Sequence, residues 1–216
     1  MTNRGVAVIE ITAQQLERIG LILQGVPGGA EKAMSGAVRR AQQTVRGETV
    51  KGITQTYAIK PGDVRAESNI NLKTAKDNSG IIGQVIFAGA AIPLYRFNVS
   101  PKSPTPRPGQ HVRVGVEKGT MKQLENAFVA QMKSGHFGVF ERLPGEYMKN
   151  RSGNSRHSEK IGANERYRTD QFYGPSVSKM AERDSIREKA EAAAMETIST
   201  RVEHEITRIL NGHGMR

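Results

Sequence analysis

NAFVAQMKSGHFGVFERL, residues Asn126 to Leu143, is the stretch whose reading decides the fold. Apolar and polar residues alternate up to Met132, Lys133-Ser134-Gly135-His136 supplies turn chemistry, and a second apolar run follows from Phe137. Two such runs joined by a Gly-containing tetrapeptide predict an antiparallel hairpin. Further on, Phe172-Tyr173-Gly174-Pro175-Ser176 leads into Val177-Ser178-Lys179-Met180. A Ser after Gly-Pro is placed to satisfy the first free amides of a helix, so the hairpin delivers the chain to a final helix starting at Ser176.

Upstream of the hairpin, His111 to Val116 alternates strongly and predicts a strand, with another in Gln123 to Met132. Ile70-Asn71-Leu72 and Ile81 to Phe87 predict a hairpin around Asp77-Asn78-Ser79-Gly80, and Ile92 to Phe97 begins a further extended segment. The strands together predict one antiparallel sheet of four to six strands. Between Val99 and Gly109 stand Pro101, Pro104, Pro106 and Pro108, beside Lys102 and Arg107. A segment lacking so many amide donors reads as an exposed, basic, semi-rigid loop near 99–110. A second polar and basic loop is expected near 145–168, where Asn150-Arg151-Ser152-Gly153-Asn154-Ser155-Arg156 has little to bury.

Helical periodicity brackets this β-rich middle. Gly5 to Ile11 reads as a first strand, and Thr12 caps a short helix whose buried side is Leu16, Ile19, Leu21, Ile22 and Leu23, stopped by Gly25-Val26-Pro27-Gly28-Gly29. Ala30, Ala33, Met34, Ala37, Val38, Ala41, Val45, Ile53 and Tyr57 recur at the three-and-four spacing of a long helix running to Lys60-Pro61-Gly62. Its Ala-rich stripe, with Gly36, Gly47 and Gly52, invites close approach, and a sheet is the expected partner. Ile186, Ala190, Ala194, Ile198, Val202, Ile206 and Leu210 step by four along a long C-terminal helix ended by Asn211-Gly212. The fold class is α+β: an antiparallel sheet packed on a long Ala-rich helix, with a long C-terminal helix. Residues 1–25 read as a strand/helix extension, 26–210 as a single domain and 211–216 as a flexible tail.

Composition narrows function. The 216 residues include 32 Lys and Arg against 21 Asp and Glu, a formal net charge of +11, with no Cys and no Trp. Disulfides, thiolate metal sites and Cys nucleophiles are thereby excluded. No run approaches the ~20 consecutive apolar residues of a membrane span, and no signal peptide is legible, so a soluble protein made in the cytoplasm is expected. Fourteen basic and six acidic side chains lie between Arg96 and Arg168, a bias that favours polyanions. Arg96, Lys102, Arg107, Arg113, Lys118 and Lys122 form one basic stretch, and Arg151, Arg156, Lys160, Arg166 and Arg168 another. With few aromatics interleaved, any nucleic-acid contact through them would be non-specific.

No constellation points to catalysis. His111, His136, His157, His204 and His213 lack metal-ligand spacing. Ser176-Val177-Ser178-Lys179 matches a Ser-x-x-Lys string, but its companion motifs are missing and the cap reading accounts for Ser176. Gly25 to Lys32 lacks the Gly-Lys-Ser/Thr ending of a phosphate loop and follows a helix. Arg187 and Glu191 stand four apart, the spacing of a surface ion pair. No catalytic residue, metal or cofactor is expected.

Several segments together resemble the minor tail protein Z family of long-tailed bacteriophages and prophages, and more loosely other tail-completion and neck proteins. They are the helix ending near Tyr57-Ala58-Ile59-Lys60, Ala127 to Met132 with Gly135 to Arg142, and Tyr173-Gly174-Pro175-Ser176. The first 25 residues and the insertion around 145–167 depart from that pattern. The resemblance implies a non-enzymatic structural protein that completes the tail and/or joins it to the head, through self-association as a homo-oligomeric ring and contacts with other tail and neck proteins. It implies a place in the virion tail, and in the host bacterial cytoplasm during assembly. Gly135, His136, Phe137, Arg142, Tyr173, Gly174, Pro175 and Ser176 would then be architectural. The alternative is a non-specific nucleic-acid-binding protein that uses the basic loops.

Overall fold

The computed structural model describes residues 4–11, 13–77, 80–104, 111–132, 134–147 and 167–212. The order is β1 (Arg4–Ile11), α1 (Ala13–Ile22), α2 (Gly29–Thr56), α3 (Pro61–Ala66), β2 (Asn69–Asp77), β3 (Gly80–Ala88), β4 (Ala91–Pro93), a 3-10 turn (Leu94–Arg96), β5 (Asn98–Ser100), β6 (Val112–Gly115), β7 (Lys122–Leu124), β8 (Ala127–Gln131), β9 (Phe137–Tyr147), β10 (Tyr167–Gln171), β11 (Tyr173–Ser176), α4 (Val177–Ala181) and α5 (Asp184–Leu210). The chain is α+β, with the long Ala-rich helix and the long C-terminal helix where the periodicity puts them. It divides into two compact units. One comprises Met1–Thr56, Pro61–Ala90 and Pro175–Arg216, the other Tyr57–Lys60 and Ala91–Gly174. β1, within the expected 1–25 strand/helix extension, is paired in the first unit's sheet.

In the first unit, β3 is the central strand of an antiparallel sheet ordered β1-β3-β2. Ile11 faces Ile81, and Asp77 faces Gly80 across the predicted hairpin. Helix α2 approaches so closely that a Cβ built on Gly83 would stand 2.6 Å from Val38 Cγ1. Gln42, which is buried, secures the approach: its Nε2 donates to the Lys73 carbonyl at 2.8 Å and the Gln84 carbonyl at 3.3 Å. An amide there replaces the water that backbone groups beside an apolar helix would otherwise lose.

The sheet expected against the α2 stripe shares it with α5. Glu205 lies over Gly36, Thr197 Oγ1 donates to Thr44 Oγ1 at 3.1 Å, and Ile186 lies over Gly52. These matches run in opposite directions along the two helices, so they are antiparallel. Ala33, Ala37 and Ala41 of α2 and Ala190 and Ala194 of α5 are buried. Small side chains at these positions let the helices approach closely and leave little volume to fill.

Other expectations in this unit are corrected. Leu21 and Ile22 are 68% and 46% exposed, whereas Ile19 and Leu23 are buried; the Leu16 side chain lies outside the described residues. Helix α2 stops at Thr56, short of Lys60, and a short helix, α3, begins at Pro61 of the expected break. Pro suits a first helical position, whose amide has no intrahelical partner. The final helix is two helices, α4 and α5, with Glu182 and Arg183 between them. Leu210 is 57% exposed and Ile209 takes its place in the core. A step of four overshoots a 3.6-residue turn by about 40°, so a seam read every fourth residue drifts until a step of three restores it. Arg187 pairs with Asp184 at 2.9 Å, not with Glu191.

In the second unit the strands form small separate sheets, β5-β6-β7 and β10-β9-β8, and β4 pairs with β11. One continuous sheet of four to six strands is therefore not what forms. The predicted strand in Gln123–Met132 is two strands, β7 and β8, and Asn126 between them has φ 58°. A left-handed residue turns the chain out of line, so β8 leaves β6 and pairs with β9 instead. In the region expected to loop from Gly145, β9 continues to Tyr147 and pairs with Tyr167 of β10. The rest of that loop, 148–166, and the 105–110 part of the Pro-rich loop lie outside the described residues, as does the tail beyond Gly212.

Candidate assembly surface

The hairpin turn falls where the sequence puts it. Met132 N–H donates to His136 O at 2.8 Å and Gly135 N–H to Met132 O at 2.9 Å. Gly135 has φ 83°, a conformation that favours glycine. Gln131 then faces Phe137, and Phe128 faces Phe140.

Register decides which side chains share a face, since strand residues alternate and directly paired residues project the same way. Gln171, Phe140 and Phe128 are paired in a row across β10, β9 and β8, and Arg142 is two positions along from Phe140. The Phe128 and Phe140 rings lie 6.1 Å apart, and the Arg142 guanidinium stands 5.4 Å over Phe128. His136 meets Phe140 edge-on at 6.5 Å, with its Nε2 3.2 Å from Gln171 Oε1. Tyr173 Oη donates to the same Oε1 at 3.4 Å, and Tyr173 is 55% exposed. Phe140 is buried, Phe128 half-buried, and His136 and Arg142 exposed. Phe137, of opposite parity, stacks on Tyr95 at 5.6 Å instead.

Of the predicted architectural residues, the fold thus brings His136, Arg142 and Tyr173 together on one face. Phe137 stands apart from them. Gly174 has a packing role: a Cβ there would come within 2.6 Å of the buried Phe97 ring. Ser176 caps α4 as predicted, its Oγ accepting from Lys179 N–H at 3.2 Å, and Pro175 precedes it. Sequence reasoning missed Phe128, Tyr95 and Gln171. Phe128 was legible as part of the alternating run, while Gln171 has no sequence signal because only pairing with Phe140 gives it a place.

The predicted basic contacts are dispersed. Arg113 faces Gln123 and Ser100, whereas Lys122 faces Val114, so these two cations project from opposite sides of their sheet. Arg113, Lys118 and Lys122 are exposed. Arg96, also exposed, is engaged by a partner, and Lys102 accepts at its carbonyl from Tyr95 Oη at 3.0 Å. Arg107, Arg151 and Arg156 lie outside the described residues. Among those described, no group of His, Asp and Glu is arranged to hold a metal, and no helix is long and apolar enough to cross a membrane. Comparison with protein-family models, curated proteins and solved structures finds no match for this chain.

Proposed function

We propose that this chain is a structural protein of bacteriophage or prophage tails, of the minor tail protein Z type, acting by self-association and by contact with other tail or neck proteins. The supporting observation is the face made by Phe128, His136, Arg142 and Tyr173. Partly exposed aromatic rings and an arginine, fixed by a hairpin, are the residue types that carry most binding energy in protein interfaces. The sequence resemblance supplies the biological setting. Electron microscopy tests the reading: particles made without the chain should carry tails that are incomplete or unjoined to heads. The Phe128→Ala/Arg142→Ala double variant should reproduce that defect while keeping the wild-type circular dichroism spectrum. Fully infectious particles formed without the chain would overturn it.

A second reading, non-specific DNA binding, draws on the net charge of +11 and on exposed Arg113, Lys118 and Lys122. It expects retention on DNA that falls steeply with salt and is lost in Arg107→Glu/Arg113→Glu.

A further inference from the structure

The cations expected from the sequence to meet a polyanion all lie between Arg96 and Arg168, yet a cleft in the first unit concentrates others. A concave space of about 550 Å³ is lined from α2 by Gly36, Arg39, Arg40, Gln42 and Gln43, from β2 by Leu72 and Thr74, and from α5 by Arg201 and Glu205. Its volume falls within the roughly 300–1,000 Å³ typical of small-ligand sites. Arg39 and Arg40 are exposed, and Arg201 is half-buried.

The charge in this cleft is unbalanced. Glu205 is the acid in the lining, and its Oε2 meets Arg208, at 2.9 Å from Nε and 2.7 Å from Nη2. That carboxylate also lies over Gly36, where a Cβ would stand 3.2 Å from Glu205 Cδ. It is thus held on the α2 backbone by a neighbour on its own helix. Among the described residues, Arg39, Arg40 and Arg201 form no ion pair. Among the described residues, three planar forks and a single carboxylate, itself already paired, therefore line one concavity.

We infer that this cleft is an oxyanion site that takes a phosphate-class ligand, through the guanidinia of Arg39, Arg40 and Arg201. A single carboxylate offers two oxygens and one charge, which one guanidinium fork satisfies. A phosphate group offers more oxygens and more charge, and a phosphate chain engages several forks at once. Gln43 and Thr74 add neutral donors on the same lining. Gln42 belongs to the floor: its Nε2 already serves the Lys73 and Gln84 carbonyls, which keeps β2 fixed beside α2. A free polyphosphate and a nucleic-acid strand both carry that chemistry, and the probes below distinguish them. The site lies on residues distinct from both readings above and stands or falls independently of them.

Calorimetric titration of the full chain with pyrophosphate, with a single-stranded oligonucleotide and with citrate tests the inference, with backbone amide NMR shifts to locate binding. Wild-type protein should bind pyrophosphate or the oligonucleotide, with shifts centred on 36–43 and 201–205, and bind citrate at least ten-fold more weakly. Arg39→Gln/Arg201→Gln should weaken the preferred probe at least ten-fold with an unchanged circular dichroism spectrum, and Arg18→Gln, an exposed arginine of α1, should not. Pyrophosphate binding identifies a free phosphate source, and oligonucleotide binding without it identifies a nucleic-acid strand. Binding of neither, citrate bound as well as either, or affinity unmoved in the double variant would each overturn the site.

Discussion

Gly174 and Gln42 show how single residues hold each unit in place. Because the Phe97 ring is buried and stands where a Gly174 Cβ would project, it has no free volume to move into. Gly174→Ala should therefore destabilise the protein by about 1–3 kcal/mol in urea unfolding, the usual penalty of an overpacked core. Wild-type stability in that variant would show that Phe97 can yield. Gln42→Met keeps the volume near the α2–sheet contact but removes the donor to the Lys73 and Gln84 carbonyls. Its expected cost is about 1 kcal/mol, one hydrogen-bonding group's worth, read as a lowered urea midpoint at unchanged slope. Neither role is visible in the chain: Gly174 resembles an ordinary turn residue, and Gln42 is a polar residue between stripe positions Ala41 and Val45.

At the scale of the element, α2 carries interior glycines in different surroundings. Gly47 has open space around a projected Cβ, while at Gly52 Ile186 Cγ2 stands 3.0 Å away. Gly47→Ala should raise stability by about 0.5–1 kcal/mol, because alanine loses less backbone entropy in a helix. Gly52→Ala should fall below Gly47→Ala in thermal unfolding by an amount that an Ile186→Ala background, which removes both γ carbons, reduces; equal midpoints for the two alanine variants would refute the close contact. Helix α4 depends on its cap, since Ser176 Oγ accepts from Lys179 N–H. Ser176→Ala should cost about 1 kcal/mol, and Ser176→Asp should recover most of it. Elements with strong periodicity and caps were legible in the sequence, as α2, α5, the β2–β3 hairpin and the β8–β9 hairpin show. The break between α4 and α5 was not, because nothing at Glu182-Arg183 opposes a helix by propensity.

For the molecule as a whole, the two proposed surfaces separate by chemistry. The aromatic face should govern association: in sedimentation at rising concentration, Phe128→Ala/Arg142→Ala should shift the protein toward monomer relative to wild type, and Arg39→Gln/Arg201→Gln should not. An identical profile for wild type and the aromatic variant would remove the face from self-association. What the chain determined by itself is the local layer: an α+β class, a long Ala-rich helix, hairpins at Asp77–Gly80 and at Lys133–His136, and a capped entry to the last helices. Those follow from periodicity, turn residues and backbone donors, interactions made within a few positions of one another. Only tertiary structure decided the rest. It divided the strands among separate sheets through the left-handed Asn126, set Gln171 beside Phe140, and gathered Arg39, Arg40 and Arg201 around one cleft. Contacts between residues far apart in sequence leave no period to read, and a charged residue on a helix gives no sign of which distant strand or helix its side chain will face.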